Sequence, residues 1–105
     1  SQAVKLVHLK SITGAMLAAD AYKPQVEELY AQFASKVKKI RTEYSHDLLV
    51  GRKKVADAAR KIINKAERRY QTLHSDFRRN AAEALEDLKD RVQSVLGRYS
   101  ISGGF

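Results

Sequence analysis

A chain of 105 residues with a net charge of +8 has room for one domain and little self-contained core. It has no cysteine, which excludes a disulfide framework and a thiolate metal site, and no apolar run nears the roughly 20 residues of a membrane span. Charged residues make up 30% and helix formers dominate, with one proline, a balance that favours long helices over an α/β domain.

Residues 1–23 form the first unit. Val4, Leu6, Val7, Leu9, Ile12, Met16 and Leu17 alternate with Lys5, His8 and Lys10, and no acid appears before Asp20. This predicts a short amphipathic helix that folds back or docks on a neighbour. A targeting role is the other reading, although Lys10 and Thr13 interrupt the apolar part and make it a poor secretory signal. Pro24 should end this element. The residue before a proline avoids helical geometry, whereas proline suits the first helical position. Glu27 and Glu28 then fall in an opening turn, where the helix dipole favours acids.

From Pro24 onward one spacing dominates. Tyr22, Phe33, Tyr44, Val55, Ala66, Phe77, Leu88 and Tyr99 stand eleven residues apart. Two further rows keep the step: Val26, Val37, Leu48, Ala59, Tyr70, Ala81, Val92 and Leu29, Ile40, Gly51, Ile62, Leu73, Ala84, Val95. All members are apolar or small. Eleven residues in three turns is about 3.67 per turn, so such a stripe stays on one side of a helix with a slow right-handed drift. The expected fold is therefore all-α: a short N-terminal helix, then one very long amphipathic helix over 24–97 built on eleven-residue (hendecad) repeats, assembling as a coiled coil or helical bundle. Continuous, it would be about 110 Å long. A hairpin at Gly51 is the alternative, since glycine inside a helix costs about 1 kcal/mol. The phase of all three rows across Gly51 favours continuity. Gly97 fits the position just past a helix end, and 98–105 reads as a flexible tail.

The motifs exclude more chemistry than they offer. His8, His46 and His74 share no ligand spacing. Glu43 and His46 form one Glu-x-x-His step pointing away from the apolar stripe, so it is a surface coincidence rather than half of a metal site. Glu83, Glu86, Asp87 and Asp90 alternate with Lys89 and Arg91 as a solvated face. Without a phosphate loop or a nucleophile beside a base, the chain reads as non-enzymatic, with no cofactor and no small-molecule substrate.

The stripe resembles two patterns: the eleven-residue repeats of exchangeable apolipoproteins and lipid-droplet coats, and those of right-handed coiled coils such as rotary-ATPase peripheral stalks. Neither is a residue-level match. The apolar arc spans only about 65°, which suits a packing seam better than lipid. The predicted seam is Phe33, Val37, Ile40, Tyr44, Leu48, Val55, Ile62, Tyr70, Leu73, Phe77, Leu88, Val92 and Tyr99. Its tyrosines need partners for their hydroxyls. The excess charge lies in the middle: residues 36–79 carry fourteen basic and five acidic side chains. Lys38, Lys39, Arg52, Lys53, Lys54, Arg60, Lys61, Arg68 and Arg69 are the expected contacts for an acidic partner. The first functional reading is a structural protein that self-associates, or bundles with partner helices, as a stalk, coat or filament subunit. The alternative is a peripheral binder of anionic surfaces, lipid or nucleic-acid phosphate, through 36–79. Compartment is not legible.

Overall fold

The computed structural model describes residues 2–71 and 78–101, with side chains placed over 22–71 and 79–101. Three helices account for nearly all of them: α1 (Gln2–Glu43), α2 (Leu48–Gln71) and α3 (Arg78–Arg98). Each packs on both others, and the molecule measures 69 × 22 × 19 Å. Tyr22 meets Tyr70 edge to face at 5.4 Å, while Tyr44 at the other end of α1 lies against Gly51. That makes α1 and α2 an antiparallel hairpin. Arg91 reaches Glu27 and Arg41 reaches Tyr99, so α3 runs parallel to α1.

The fold is all-α, but the single long helix is not formed. Helix α1 ends at Glu43 and α2 begins at Leu48, and α2 and α3 are separate helices that pack on one another. Asp47 explains the start of α2. Its carboxylate accepts the Val50 amide at 3.1 Å, and its carbonyl accepts the Gly51 amide at 3.0 Å, as an N-cap does at a helix start. The expected break before Pro24 is also absent. Pro24 lies within α1, on an exposed position, while Tyr22, Val26 and Leu29 are buried beside it. A proline in a helix interior costs about 3 kcal/mol. Burial of several large side chains at about 1.5–3 kcal/mol each offsets that.

Gly51 is not the turn. It is helical, in the first turn of α2, four residues after the connection. Gly97 likewise lies inside α3, and the helix ends one residue later. The left-handed residue there is Ser100, at φ 55°. The Ile101 amide bonds to the Leu96 carbonyl at 3.1 Å and the Ser100 amide to that of Gly97 at 3.0 Å, the Schellman pattern of helix ends.

Most of the described members of the eleven-residue rows lie in the core of this bundle. Leu29, Phe33, Val55, Ala59, Ala66, Leu88 and Val92 are sealed from solvent, with Ile63 and Leu96 filling between the rows. A stripe that would seek other molecules on one long helix is here buried against the same stripe twice over, by folding.

Candidate functional site

The core disposes of most of the predicted seam. Phe33, Val37, Ile40, Val55, Ile62, Tyr70, Leu88 and Val92 are buried within the chain, and Tyr44 and Tyr99 are half-buried against it. Leu48 departs: it is 68% exposed. Leu73 and Phe77 lie outside the described residues. The tyrosine hydroxyls fare differently from one another. That of Tyr99 accepts a hydrogen bond from Arg41 Nε, whereas that of Tyr70 is buried with no partner among the described residues. Burial raises the ionisation of both Tyr22 and Tyr70 above the usual tyrosine value, in Tyr70 against a weaker opposing pull from Arg69.

With most of the described apolar side chains enclosed, the described exterior is largely charged. Lys38, Lys39, Arg52, Lys53, Lys54, Arg60, Lys61, Arg68 and Arg69 are all exposed. The fold gathers cations in two places. One is the groove between α1 and α2, lined by Lys36 and Lys39 from α1 and by Lys54, Lys61 and Lys65 from α2. Phe33, Ile40, Ala58 and Ile62 form its floor. Positions 54, 58, 61 and 65 are spaced by three and four, which puts them on one face of α2. The groove's two carboxylates are engaged: Glu43 lies 4.0 Å from Lys39, and Asp57 accepts from Arg60. Lys36, Lys54, Lys61 and Lys65 have no carboxylate partner among the described residues.

The second place is the closed end of the hairpin. Arg41, Arg52 and Arg98, one from each helix, line a recess of about 350 Å³ with Ile40, Tyr44, Leu48 and Tyr99. No acid lines it. Tyr99 fixes Arg41 by the hydrogen bond to its Nε and by a ring 4.9 Å below the guanidinium. Leu49, the next residue along α2, is 77% exposed.

Lys36, Lys65 and Arg41 belong to the basic stretch without standing out in it. Arg98 was not legible as part of any site, because only tertiary folding brings it to the same recess as Arg41 and Arg52. Arg91 and Lys89 serve the bundle instead. Arg91 forms a two-pronged pair with Glu27, at 2.7 and 3.2 Å, and stacks 4.3 Å from the Tyr30 ring, while Lys89 lies 3.5 Å from Glu67. The hydrogen bond from Arg91 holds the Glu27 carboxyl below the usual range.

Among the described residues no three acidic or histidine side chains cluster as metal ligands, and Glu43 and His46 are both exposed. No described helix is long and apolar enough to cross a membrane. No protein-family model, curated protein or solved structure matches the chain.

Proposed function

We propose that the protein is a non-enzymatic binder of phosphate-dense anionic surfaces, with the α1–α2 hairpin as its contact face. The lysine-lined groove carries this reading: its cations converge, and its carboxylates are already occupied. Over residues 36–71 the hairpin holds twelve basic and four acidic side chains, a net of +8, the same as the whole chain. Lysine is a flexible point charge, suited to tracking phosphates without reading sequence or shape. Binding of this kind is dominated by counterion release and should fall steeply between roughly 50 and 200 mM salt.

The test is a salt titration of binding to duplex DNA and to anionic vesicles, with a Lys36→Glu, Lys61→Glu, Lys65→Glu triple variant. These side chains are exposed, so the fold should persist. Loss of binding in the variant, with a shallower salt dependence, is the expected result. Equal binding by both proteins would reject the groove, and no binding by the wild type at low salt would reject the reading altogether.

A second reading, assembly with another helix, retains one supporting observation. At 24 residues α2 spans about 36 Å, against about 63 Å for the 42 residues of α1. Much of the first half of α1 therefore extends past what α2 can flank, and its sequence has the apolar spacing of a packing helix. Self-association that persists in a variant lacking residues 1–20 would remove that support.

A further inference from the structure

The closed end of the hairpin combines two features that do not occur together elsewhere among the described residues. Among the described side chains, Leu48 and Leu49 are the large apolar ones left in solvent, at 68% and 77% exposure. Directly beside them is the recess lined by Arg41, Arg52 and Arg98, with no carboxylate in its lining. The spacing ties the features together, since Leu48 and Arg52 are one helical turn apart on the same face of α2. Two acids lie nearby and both are engaged: Asp47 caps α2 and Glu43 pairs with Lys39. Exposed leucines at a solvent-facing end cost solubility unless something covers them.

We propose that this end is a membrane-docking tip: Leu48 and Leu49 enter the interface of an anionic bilayer while the three arginines seat a phospholipid headgroup phosphate. The proposal rests on the reading of the protein as a binder of phosphate-dense surfaces, and names the lipid bilayer as the partner. Nucleic acid explains the cations but not the leucines. An interfacial bilayer uses both, apolar side chains in the acyl boundary and guanidiniums at phosphate level. Arginine suits the phosphate because its planar fork donates two parallel hydrogen bonds. Tyr99 holds Arg41 through Nε and leaves its terminal nitrogens free to donate. The aromatic walls, Tyr44 and Tyr99, fit the amphipathic layer between water and hydrocarbon.

The experiment is vesicle co-sedimentation at low salt, with vesicles of phosphatidylcholine alone and with about one-third phosphatidylserine. Beside the wild type run Leu48→Ser/Leu49→Ser, Arg52→Glu/Arg98→Glu and the triple lysine variant, each checked for helicity. The wild type should bind only the anionic vesicles. The leucine variant should lose about tenfold or more on vesicles and nothing on duplex DNA. The arginine variant should lose at least as much on vesicles. Because the chain has no cysteine, Leu49→Cys can carry one environment-sensitive fluorophore, whose emission should shift to the blue on vesicles while a label at exposed Asn64→Cys stays unchanged.

A leucine variant that binds vesicles like the wild type overturns the tip. If the lysine variant has then lost both DNA and vesicle binding, the broader reading stands without it. Wild-type protein that binds neither anion overturns both. Millimolar inorganic phosphate that quenches a Leu49→Cys label, with no binding to vesicles, would make the recess a site for soluble phosphates and also overturn the tip.

Discussion

The α1–α2 hairpin and α3 share one core but use their charges in opposite ways. In α3, five basic and four acidic side chains nearly cancel, and its inner cations reach across the bundle: Arg91 to Glu27 on α1, Lys89 to Glu67 on α2. In the hairpin, Lys36, Lys54, Lys61 and Lys65 are exposed and have no carboxylate partner among the described residues. A salt bridge with a partner in the same chain contributes little at a surface, typically 0–1 kcal/mol, but it neutralises charge that would otherwise attract ligands. Cross-bundle pairing by Lys89 and Arg91 therefore sets α3 apart from the groove, where Lys36, Lys54, Lys61 and Lys65 have no carboxylate partner among the described residues and which we propose as the contact face.

The largest test asks whether the two regions are one folding unit. Leu29 in the hairpin and Leu88 in α3 are both fully buried. Truncating either to alanine should cost about 2–5 kcal/mol, with the same steepness of denaturant unfolding as the wild type. Urea melts would break the comparison if Leu88→Ala left the hairpin transition unmoved, since α3 would then be an appendage.

Smaller changes sharpen it at the two helix ends. A Cβ at Gly51 would meet Tyr44 at ordinary contact distance, 3.5 Å, and the backbone is helical. Gly51→Ala should thus stabilise by up to about 1 kcal/mol. Ser100→Gly should give a similar gain by relieving a left-handed residue that has a side chain. Thermal melts that fall in either variant would contradict the placement of that residue.

Tyr70 offers a test with a sign in alkali. Its ionisation is raised by burial, so the contribution of its neutral form is present below the ordinary tyrosine value and lost as pH rises from about 10. Tyr70→Phe should be neutral, or stabilising by up to about 1 kcal/mol, at neutral pH, and should blunt the alkaline loss. Marked destabilisation in a melt at neutral pH would mean that the hydroxyl has a partner. The smallest effect is at Glu27. Its ionisation is depressed by Arg91, so its contribution holds above the ordinary glutamate value and disappears as pH falls through the lower folded one. Glu27→Gln should remove that part of the acid dependence of stability, and an unchanged acid profile would show that the pair is inert.

The buried set was largely legible in the sequence, and the topology was not. Among row members whose side chains are described, most face the core, with Tyr44, Ala84 and Tyr99 half-covered and Leu48 exposed. A core-facing stripe has nearly the same period on three short helices as on one long one. The connection from Tyr44 to Asp47 occupies about one helical turn, so Ile40 to Gly51 and Tyr44 to Val55 keep phase across it. The turn left two local marks: the Asp47 cap ahead of Leu48-Leu49-Val50, and the exposure of Leu48, invisible before folding. Ser100 carries the left-handed turn that Gly97 was expected to announce, because the last turn of α3 continues while Leu96 packs beneath it. The basic excess was visible by count. Its division into a lysine groove and an arginine recess needed the third helix, since Arg98 joins Arg41 and Arg52 only in the folded chain.

The proposal that the hairpin's outer cations meet the partner while Lys89 and Arg91 of α3 serve the bundle is tested most directly by matched charge reversal. Lys36→Glu/Lys61→Glu/Lys65→Glu and Arg79→Glu/Lys89→Glu/Arg91→Glu would be titrated against the same duplex DNA at one low salt concentration. Reversal in the hairpin should abolish binding and leave the melting temperature nearly unchanged. Reversal in α3 should lower the melting temperature and weaken binding only by the general loss of positive charge. Equal loss of binding in the two would contradict the claim, leaving net charge rather than the groove as the origin of affinity.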